Sequence, residues 1–332
     1  MNIDNLSIVV IGRNEGERLR LCLKSIYDGY TCPVIYVDSG STDNSVALAR
    51  SFGTAVWELD PGKPFSAARA RNEGVARLTE LHAAILFVQF LDGDCTLASG
   101  WLDAADKALM ENPLRAAVIG HLQERNPEAT PYNQLCALEW HSPPGDLTNF
   151  GNFGGISMMR VDVLRKLGGF NAEVIAGEDS ELGVRMGLAG YKITKIDYPM
   201  ATHDANITTF RQWWTRAVRA GHAIGQRARL NGKTKLKDCI RERTSTWLWG
   251  IGLPLFILVT LVPSRGLSTL LLGSYMMLFY RVRRYRYSQG DSHEDASLYA
   301  RFVLLAKFAN GIGLIKFYLN SMVRRYKIIE YK

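Results

Sequence analysis

Short apolar runs alternate with amphipathic stretches along the first third of the chain, and this alternation restricts the possible folds more than any other feature. Apolar runs of this length, bounded by turn residues, are typical of buried strands. The predicted strands are residues 6–11, 34–37, 54–57 and 84–91. The stretches with apolar side chains at helical spacing are residues 15–27, 44–52 and 66–81. Alternating strands and helices build a mainly parallel sheet with helices on both faces, so we predict a Rossmann-like α/β fold.

The rest of the chain divides into a looser part and a hydrophobic part. Residues 156–160 are predicted as a strand and residues 180–188 as a helix, and a helix rich in Trp and Arg follows residue 210. We predict a globular domain, a basic segment, a hydrophobic helical hairpin and a basic interfacial helix, which comprise residues 1–222, 223–243, 244–286 and 287–332. The regular alternation ends near residue 112, so the globular domain is expected to have two halves, residues 1–112 and 113–222.

The predicted hairpin has one arm long enough to cross a bilayer. Residues 244–264 contain no charged side chain, and as a helix they measure about 31 Å, close to the hydrocarbon thickness. Residues 266–280 reach only about 22 Å, so a full span needs bilayer thinning, snorkelling arginines or a re-entrant path. Basic residues flank the hairpin on both sides, which by the positive-inside rule makes both flanks cytoplasmic. The alternative is a pair of buried helices in a water-soluble domain.

Charge is distributed unevenly along the chain. Residues 1–206 carry 18 Lys and Arg against 26 Asp and Glu, whereas residues 207–332 carry 22 against 6. The basic part also contains the longest apolar stretches, and this combination favours an anionic membrane surface as partner. Nucleic acid is not expected, because no nucleic-acid motif accompanies the charge. Residues 302–323 are apolar but interrupted by Lys307 and Lys316, which favours an interfacial or packed helix over a third span.

The cysteines and the N-terminal residues indicate a cytosolic setting. The five cysteines form no C-x-x-C pair, so neither a zinc site nor a disulfide framework is predicted. The first apolar run lacks a positively charged region before it and is interrupted at Arg13, so a secretory signal is not expected. We therefore expect the protein at the cytoplasmic membrane, with the globular domain on the cytoplasmic side.

Acidic residues follow two of the predicted strands, where ligands of such sheets collect. Asp92 and Asp94 end the run 84–91 and flank Gly93, so two carboxylates can face one cation, and hard cations such as Mg²⁺ or Mn²⁺ prefer carboxylate oxygens. The alternative is an ordinary Asp-Gly turn. Asp38 follows the second strand and can accept a nucleobase N–H, although the same turn can instead cap the next helix through Thr42 or Asp43.

Other polar residues of the domain are ambiguous when taken one at a time. Arg71 lies near the start of the third helix, where it could reach an anion or simply be solvated. Glu178 and Asp179 open the helix that includes residues 180–188, where acidic residues commonly interact with the helix dipole. A lone histidine such as His203 is more often structural.

Taken in order, these motifs resemble the inverting nucleotide-sugar glycosyltransferases of family 2, which have the GT-A fold. The resemblance covers roughly residues 5–222. The motifs that carry it are Ile11-Gly12-Arg13-Asn14-Glu15, the turn from Val37 to Asp43, Ala70-Arg71-Asn72-Glu73-Gly74, Leu91-Asp92-Gly93-Asp94, Gly154-Gly155, Gly177-Glu178-Asp179 and His203.

The resemblance implies a role for each motif, with the donor bound by the first half and the acceptor by the second. Asp179 is implied as the catalytic base, with Glu178 as its neighbour. The implied donor-binding residues are Arg13, Glu15, Asp38, Arg71, Asp92 and Gly93. The implied ligands of a divalent metal, Mg²⁺ or Mn²⁺, are Asp94, Asp92 and His203. Gly154 and Gly155 are implied on the acceptor side, and the donor is usually a UDP-sugar.

Differences from processive polysaccharide synthases narrow the expected reaction. Those enzymes carry a Q-x-x-R-W motif, whereas here the arginine after Gln212 comes one place late, at Arg216. We therefore expect transfer of one or a few sugars to a glycan acceptor in surface polysaccharide or glycan biosynthesis, and the hairpin favours a lipid-linked acceptor. The alternatives are a sugar-phosphate nucleotidyltransferase, although no glycine-rich triphosphate loop is seen between residues 6 and 20, and an inactive membrane-docked scaffold.

Overall fold

The structure is a computed structural model that describes residues 5–82 and 84–323, without the side chain of Asn152. Part of the predicted C-terminal helical segment, residues 324–332, lies outside the described residues. The chain forms two compact units. The first unit comprises Met1–Asn126 and Trp140–Ala205, and the second comprises Pro127–Glu139 and Asn206–Lys332. The chain therefore leaves the first unit at residue 205, earlier than the predicted domain end at residue 222.

The first unit contains one mixed sheet, which has nine strands within the described range. In chain order they are β1 (Leu6–Gly12), β2 (Val34–Asp38), β3 (Ala55–Glu58), β4 (Phe87–Asp92), β5 (Cys95–Leu97), β6 (Arg115–Glu124), β7 (Gly145–Asp146), β8 (Ser157–Arg160) and β9 (Lys192–His203). The strand order is β3-β2-β1-β4-β8-β6-β9-β5, and β7 pairs with β9. Strands β1 to β4 are mutually parallel, while β5, β7 and β8 run antiparallel to their neighbours.

The helices of the first unit are α1 (Glu17–Tyr27), α2 (Ser45–Ser51), α3 (Ala67–Leu81), α4 (Trp101–Glu111), α6 (Val161–Lys166) and α7 (Glu178–Leu188). The helices assigned mainly or wholly to the second unit are α5 (Pro131–Trp140), α8 (Phe210–Asn231), α9 (Ile240–Thr246), α10 (Leu253–Thr260), α11 (Gly273–Ser288) and α12 (His293–Met322). A π-helical turn, Trp247–Gly252, joins α9 to α10, and short 3₁₀ turns occur at Pro127–Ala129, Phe150–Asn152 and Leu267–Leu272.

The predicted α/β fold is confirmed, and every strand and helix predicted in the first third of the chain is present. The chain steps from β1 to β2 to β3 in one direction and then returns to place β4 on the other side of β1. Right-handed crossovers therefore put α3 on the face opposite to α1 and α2. This reversal creates a topological switch point between β1 and β4, and their carboxyl ends, Gly12 and Asp92, border it.

Strand β4 and helix α3 are held in place by close packing. Strands β1, β2 and β4 are almost wholly buried, as their apolar sequences require. Gly74 of α3 lies against β1, where a Cβ atom would come within 2.5 Å of Val9 Cγ1. The helix begins with Ser66, whose hydroxyl accepts a hydrogen bond from the Arg69 backbone N–H. This packing fixes the position of Arg71 one turn before Gly74.

In the second unit, α8 and α12 approach each other at glycine positions. A Cβ atom at Gly221 would lie 2.1 Å from the Asn310 carbonyl oxygen, and one at Gly313 would lie 2.0 Å from that of Val218. Trp213 is buried and packs edge-on against Phe302 at 4.8 Å. Trp213 therefore serves in helix packing, and the small residues explain how the two backbones come so close.

The two arms of the predicted hairpin are helical and lie side by side. The Tyr275 hydroxyl donates to the Trp249 carbonyl at 2.5 Å, and the Ser268 hydroxyl donates to the Ile257 carbonyl at 3.1 Å. Within the described residues, the helix that is long and apolar enough to cross a membrane is α12, and 28% of its most apolar window is buried. Helix α12 thus begins nine residues before the predicted stretch 302–323, at His293, and it contains both Lys307 and Lys316.

Candidate active site

The loop after β1 is fastened to the turn after β2 by side-chain hydrogen bonds. Asn14 has a positive φ of 55° and accepts a hydrogen bond from the Thr42 backbone N–H at 2.7 Å. The Ser45 hydroxyl accepts from the backbone N–H groups of Glu15 and Gly16, both at 3.1 Å. Asp43 caps the following helix by accepting from the Ser45 N–H at 2.9 Å. The ends of β1 and β2 are thereby joined into one rim beside the switch point.

Asp38 is buried and organises its own turn. One carboxylate oxygen accepts from the Tyr36 hydroxyl at 3.0 Å and the Ser41 hydroxyl at 2.5 Å. The other accepts from the backbone N–H groups of Gly40 and Ser41 at 2.9 and 2.7 Å. Burial and then the Asp38 carboxylate raise the pKa of Tyr36, which keeps its hydroxyl a donor. A nucleobase N–H would therefore have to share an oxygen with this turn.

Arg71 joins the two acidic motifs of the site. Its guanidinium donates to Asp92 Oδ1 at 2.9 Å and to Glu178 Oε1 at 2.5 Å, and it stacks over Phe170 at 5.6 Å. Arg71 is 2% exposed, so the alternative of a solvated arginine is wrong. Burial opposes the positive charge, but the Asp92 and Glu178 carboxylates outweigh it and hold the pKa of Arg71 above its usual value. The Arg71 guanidinium therefore bridges the Asp92 and Glu178 carboxylates.

The glycine pair at residues 154 and 155 leaves space for the Arg71 side chain. A Cβ atom at Gly155 would lie 2.1 Å from Arg71 Nη2, so the backbone passes directly beside the guanidinium. Gly154 has a φ of 74°, a conformation that other residues rarely adopt. The pair thus allows the segment before β8 to approach Arg71.

Asp94 and His203 form the centre that best fits a cation. His203 Nε2 lies 3.4 Å from Asp94 Oδ1, and the ligand atoms of Asp94, Cys95 and His203 all lie within 4.8 Å of one another. Burial, followed by the Asp94 and Asp92 carboxylates, raises the pKa of the Cys95 thiol, which therefore stays protonated. Carboxylate oxygen suits Mn²⁺ and Mg²⁺, and neutral imidazole is the commonest metal ligand in proteins, so the residues present fit a divalent cation, Mn²⁺ better than the oxygen-preferring Mg²⁺. Asp92, also predicted as a metal ligand, is not part of this group: its carboxylate, 34% exposed, pairs with Arg71 at 2.9 Å instead.

Glu124 is a member of this cluster that the sequence interpretation missed. It is 7% exposed at the end of β6, and its Oε2 lies 3.9 Å from His203 Nδ1 while accepting from the Ala205 N–H at 3.1 Å. The His203 ring is also held edge-on by Trp140 at 4.8 Å. Nothing in the sequence marked Glu124, because β6 and its pairing with β9 were not predicted.

Glu178 and Asp179 lie in the first turn of α7. Gly177 precedes them with a φ of 71°, which turns the chain into the helix. Glu178 points to Arg71, while Asp179 Oδ1 accepts from the Ser180 backbone N–H at 2.5 Å and from its hydroxyl at 3.1 Å. The expected contact with the helix N-terminus is therefore present, and Arg71 links this turn to the end of β4.

The remaining predicted residues lie on the rim of the switch point. The Glu15 carboxylate pairs with Arg18 at 2.8 Å, and its Cγ would lie 3.0 Å from a Cβ atom at Gly93. The Gly93 N–H donates to the Ile11 carbonyl at 2.8 Å. Arg13 is exposed and stands over the ring of Phe65 at 5.7 Å, and that ring also packs against Gly40. Phe65 was not singled out in the sequence, since it lies in a predicted loop.

Sequence comparisons identify related families and proteins. Residues 7–168 match the family described as Glycosyl transferase family 2, and residues 141–210 match the family described as the N-terminal domain of galactosyltransferase. The chain is 28% identical to Glycosyltransferase AglE of Haloferax volcanii, over 60% of this chain and 67% of that protein. It is 27% identical to the O-antigen chain rhamnosyltransferase RfbN of Salmonella typhimurium, over 54% of this chain and 59% of that protein. The matched region is thus 59% to 67% of these relatives' length.

A solved structure shares the fold. The mannosyltransferase from Pyrobaculum calidifontis, determined in complex with GDP-Man and Mn²⁺, superposes with a TM-score of 0.60 at 19% identity, over 93% of this chain and 87% of that chain. The family match begins in β1 and runs through β8 and α6, so it includes the switch point, Arg71 and the Asp92–Asp94 triplet. Because sequence and fold agree over the sheet that carries these residues, the chain belongs to glycosyltransferase family 2 and has the GT-A fold.

Proposed function

We propose that the chain is an inverting glycosyltransferase that moves a sugar from a nucleotide-sugar donor to a hydroxyl of a glycan acceptor. The observation that carries this proposal is the buried Arg71 bridge. It joins Asp92, at the end of β4, to Glu178, at the start of α7. Two acidic motifs far apart in sequence are thereby linked, one suited to a cation and one to proton transfer.

Asp179 is the base of the proposed reaction. The acceptor hydroxyl gives its proton to the Asp179 carboxylate while its oxygen attacks the anomeric carbon, and the bond from that carbon to the diphosphate oxygen breaks. A single displacement from the opposite face inverts the configuration, so no second carboxylate nucleophile is needed. The hydrogen bonds from Ser180 to Asp179 Oδ1 orient the carboxylate.

Asp94 and His203 are the proposed holders of a divalent metal, Mg²⁺ or Mn²⁺, with Asp92 beside them. When bound, such a cation neutralises the charge that develops on the leaving diphosphate. The proximity of Asp94 Oδ1 and His203 Nε2 supports this assignment, as does the Mn²⁺ bound to the Pyrobaculum enzyme. Glu124 Oε2 lies 3.9 Å from the other ring nitrogen of His203, Nδ1, and its proposed role is to orient the ring through their electrostatic attraction.

The donor is proposed to lie along the rim formed by Arg13, Glu15, Asp38 and Gly93. We propose a UDP-sugar, with Asp38 contacting the base. The Pyrobaculum enzyme is bound to GDP-Man, so a donor screen has to include both nucleotides. Arg71 has its guanidinium committed to two carboxylates and therefore acts on the donor through Asp92 rather than by direct contact.

The acceptor is proposed to be a lipid-linked glycan at the cytoplasmic face of a membrane, in polysaccharide or glycan biosynthesis. The apolar surface of the hairpin, the span-length helix α12 and the basic flanks support this location. The relative RfbN is described as an O-antigen chain rhamnosyltransferase, which supports a surface-glycan pathway.

The substitution Asp179→Asn tests the reaction. We expect release of nucleoside diphosphate from the accepted sugar nucleotide to fall by about 10² to 10⁴, because the base is lost. Mn²⁺-dependent binding of the donor, measured by calorimetry, is expected to remain within about threefold of wild type, since this substitution leaves the Asp94–His203 centre intact.

The matched control is Asp162→Asn, which removes an exposed first-turn acid from α6. Turnover should be unchanged there. Unaltered turnover in Asp179→Asn would remove Asp179 from the mechanism, and consumption of a nucleoside triphosphate with a sugar phosphate would identify a nucleotidyltransferase instead.

A further inference from the structure

A cavity of about 470 Å³ in the second unit is lined by two arginines and a histidine, with Glu294 as the acidic residue of its lining. Its walls include Arg283 of α11 and His293, Ser297 and Arg301 of α12, with Gln134 of α5 opposite. His293, Ser297 and Arg301 recur every four residues, so they share one face of α12. The cavity also lies at the N-terminus of this 30-residue helix, where the helix dipole adds positive potential that the first-turn acids Glu294 and Asp295 offset in part.

The two cavity arginines lack acidic partners. Within residues 5–82 and 84–323, neither Arg283 nor Arg301 forms an ion pair with a carboxylate, although Glu294 also lines the cavity. Arg283 Nε is enclosed and has no hydrogen-bond acceptor in that range. Its Nη2 lies 3.5 Å from His293 Nδ1, and the His293 ring is stacked on Tyr287 at 4.3 Å. The donors are thus held in place with unused bonding capacity.

The neighbouring Arg286, in contrast, has its charge compensated by other groups of the protein. Arg286 donates to Asp291 at 2.5 Å and to the Leu138 carbonyl at 3.1 Å, and it covers the ring of Tyr299 at 4.3 Å. Its charge is therefore neutralised within the protein. Arg283 lies three residues earlier on the same helix and has no such compensation, so its charge is available to a ligand.

We propose that this cavity binds a phosphate group of a phosphomonoester or phosphodiester. Two guanidinium groups, an imidazole and a helix N-terminus converge on it, and planar guanidinium groups match phosphate oxygens in pairs. Phospholipid headgroups and soluble phosphate esters share this chemistry.

The position of the cavity favours a lipid source. On α11 the exposed apolar side chains of Met276, Met277 and Tyr280 precede Arg283. Arg283 lies only about 10 Å along the helix axis beyond Met276. An apolar surface followed within that distance by a basic cavity matches the order of acyl chains and headgroups in a membrane.

Vesicle binding tests the proposal on the full-length protein. Flotation is measured with vesicles of phosphatidylcholine alone and with vesicles containing an equal share of phosphatidylglycerol. The variant Arg283→Ala with Arg301→Ala should lose about tenfold in affinity for the anionic vesicles. The matched control, Arg281→Ala with Arg284→Ala, removes the same charge from exposed positions on α11 and should lose much less.

Inorganic phosphate provides the second arm and separates the two sources. Phosphate should raise the unfolding temperature of the wild type and of the control variant, Arg281→Ala with Arg284→Ala. It should not raise that of the cavity variant, Arg283→Ala with Arg301→Ala. If phosphate stabilises the control variant but not the cavity variant, while both variants bind vesicles equally, the cavity is a phosphate site whose ligand is a soluble phosphate ester. Equal losses for both pairs on vesicles, together with no phosphate response, overturn the proposal.

A conservative double substitution controls for misfolding of the alanine variant. Arg283→Lys with Arg301→Lys keeps the charge but not the paired donors, so it should fold like wild type and bind anionic vesicles with intermediate affinity. If this variant binds anionic vesicles as tightly as wild type, positive charge alone explains the binding, which would contradict a specific phosphate site. None of these measurements uses a sugar donor, so their outcome is independent of whether the proposed transfer reaction is correct.

Discussion

Arg71 contacts two carboxylates that lie 21 and 107 positions away along the chain. Its side chain is almost wholly buried, so each charge depends on the others for compensation. The family resemblance implied a functional role for Arg71 but not its partners. At the residue scale, the site is therefore a network in which Arg71 and Glu124 position groups that would contact ligands.

The role of Glu124 leads to a prediction about metal affinity. Glu124→Gln should weaken Mn²⁺ binding by about tenfold or more, because the carboxylate beside His203 Nδ1 no longer orients the ring. Calorimetric titration of Mn²⁺ into the protein without donor measures this directly. The control is Glu128→Gln, which removes an exposed acid four positions later and should leave the affinity unchanged. Equal affinities for wild type and Glu124→Gln would show that Glu124 has no part in holding His203.

At the scale of elements, close approach between backbones decides the geometry of both units. In the first unit, Gly74 allows α3 to pack closely on β1, and Gly155 allows the backbone to pass beside the Arg71 side chain. In the second, Gly221 and Gly313 let α8 and α12 meet with their backbones nearly in contact. Glycine normally destabilises a helix interior by about 1 kcal/mol relative to alanine, so its presence at the helical positions Gly74, Gly221 and Gly313 indicates a packing requirement.

Gly221→Ala tests this requirement, because packing and helix propensity predict opposite signs. We expect a loss of about 1 to 3 kcal/mol in the free energy of unfolding, since the new Cβ would lie 2.1 Å from the Asn310 carbonyl oxygen. Denaturant unfolding in detergent provides the measurement. Gly273→Ala is the control, because nothing lies within 4 Å of a Cβ at that helical position, and it should be neutral or stabilising. A stabilised Gly221→Ala protein would contradict the packing described for α8 and α12.

At the scale of the whole molecule, charge and exposed apolar surface divide along the sequence. The acidic first 206 residues carry the candidate active site, and the basic remainder carries the hairpin and α12. Exposed apolar side chains concentrate between residues 247 and 280, where Leu258, Val262 and Leu270 are 68%, 84% and 76% exposed. A surface of this kind is unusual for a water-soluble protein and is expected to contact lipid.

Replacing these three exposed side chains tests the membrane assignment. The variant Leu258→Ser, Val262→Ser, Leu270→Ser should shift the protein from the membrane to the soluble fraction by at least about tenfold, since each apolar side chain withdrawn from lipid costs about 1.5 to 3 kcal/mol. Cell fractionation with an alkaline carbonate wash measures the shift. Met110→Ser with Leu114→Ser changes exposed apolar residues of the first unit and should have no effect.

Two results would contradict the membrane assignment: a full-length protein already soluble without detergent, or equal distribution of both variants. Truncation after residue 243 is a weaker test, because it also removes α12, whose Asn310 packs on Gly221 of α8.

Much of the first unit could be predicted because its signals are local. The apolar runs of β1, β2 and β4 and the capped, periodic helix α3 each fit within a short window of sequence. Strand β8 was also predicted, as residues 156–160, but β5, β6 and β9 were not, since β5 and β6 find their partners in β9, about 80 to 110 positions away. Glu124 was missed for that reason.

The sequence by itself determined the parallel half of the sheet, the order of the acidic motifs and the separation of acidic and basic regions, because periodicity, turn chemistry and composition act over neighbouring residues. Only the tertiary structure decided that Arg71 joins Asp92 to Glu178, that Glu124 lies beside His203, and that Arg283 and Arg301 share one cavity. These contacts depend on strand order and helix packing, in which the energy of burying a charge or a side chain is set by partners distant along the chain.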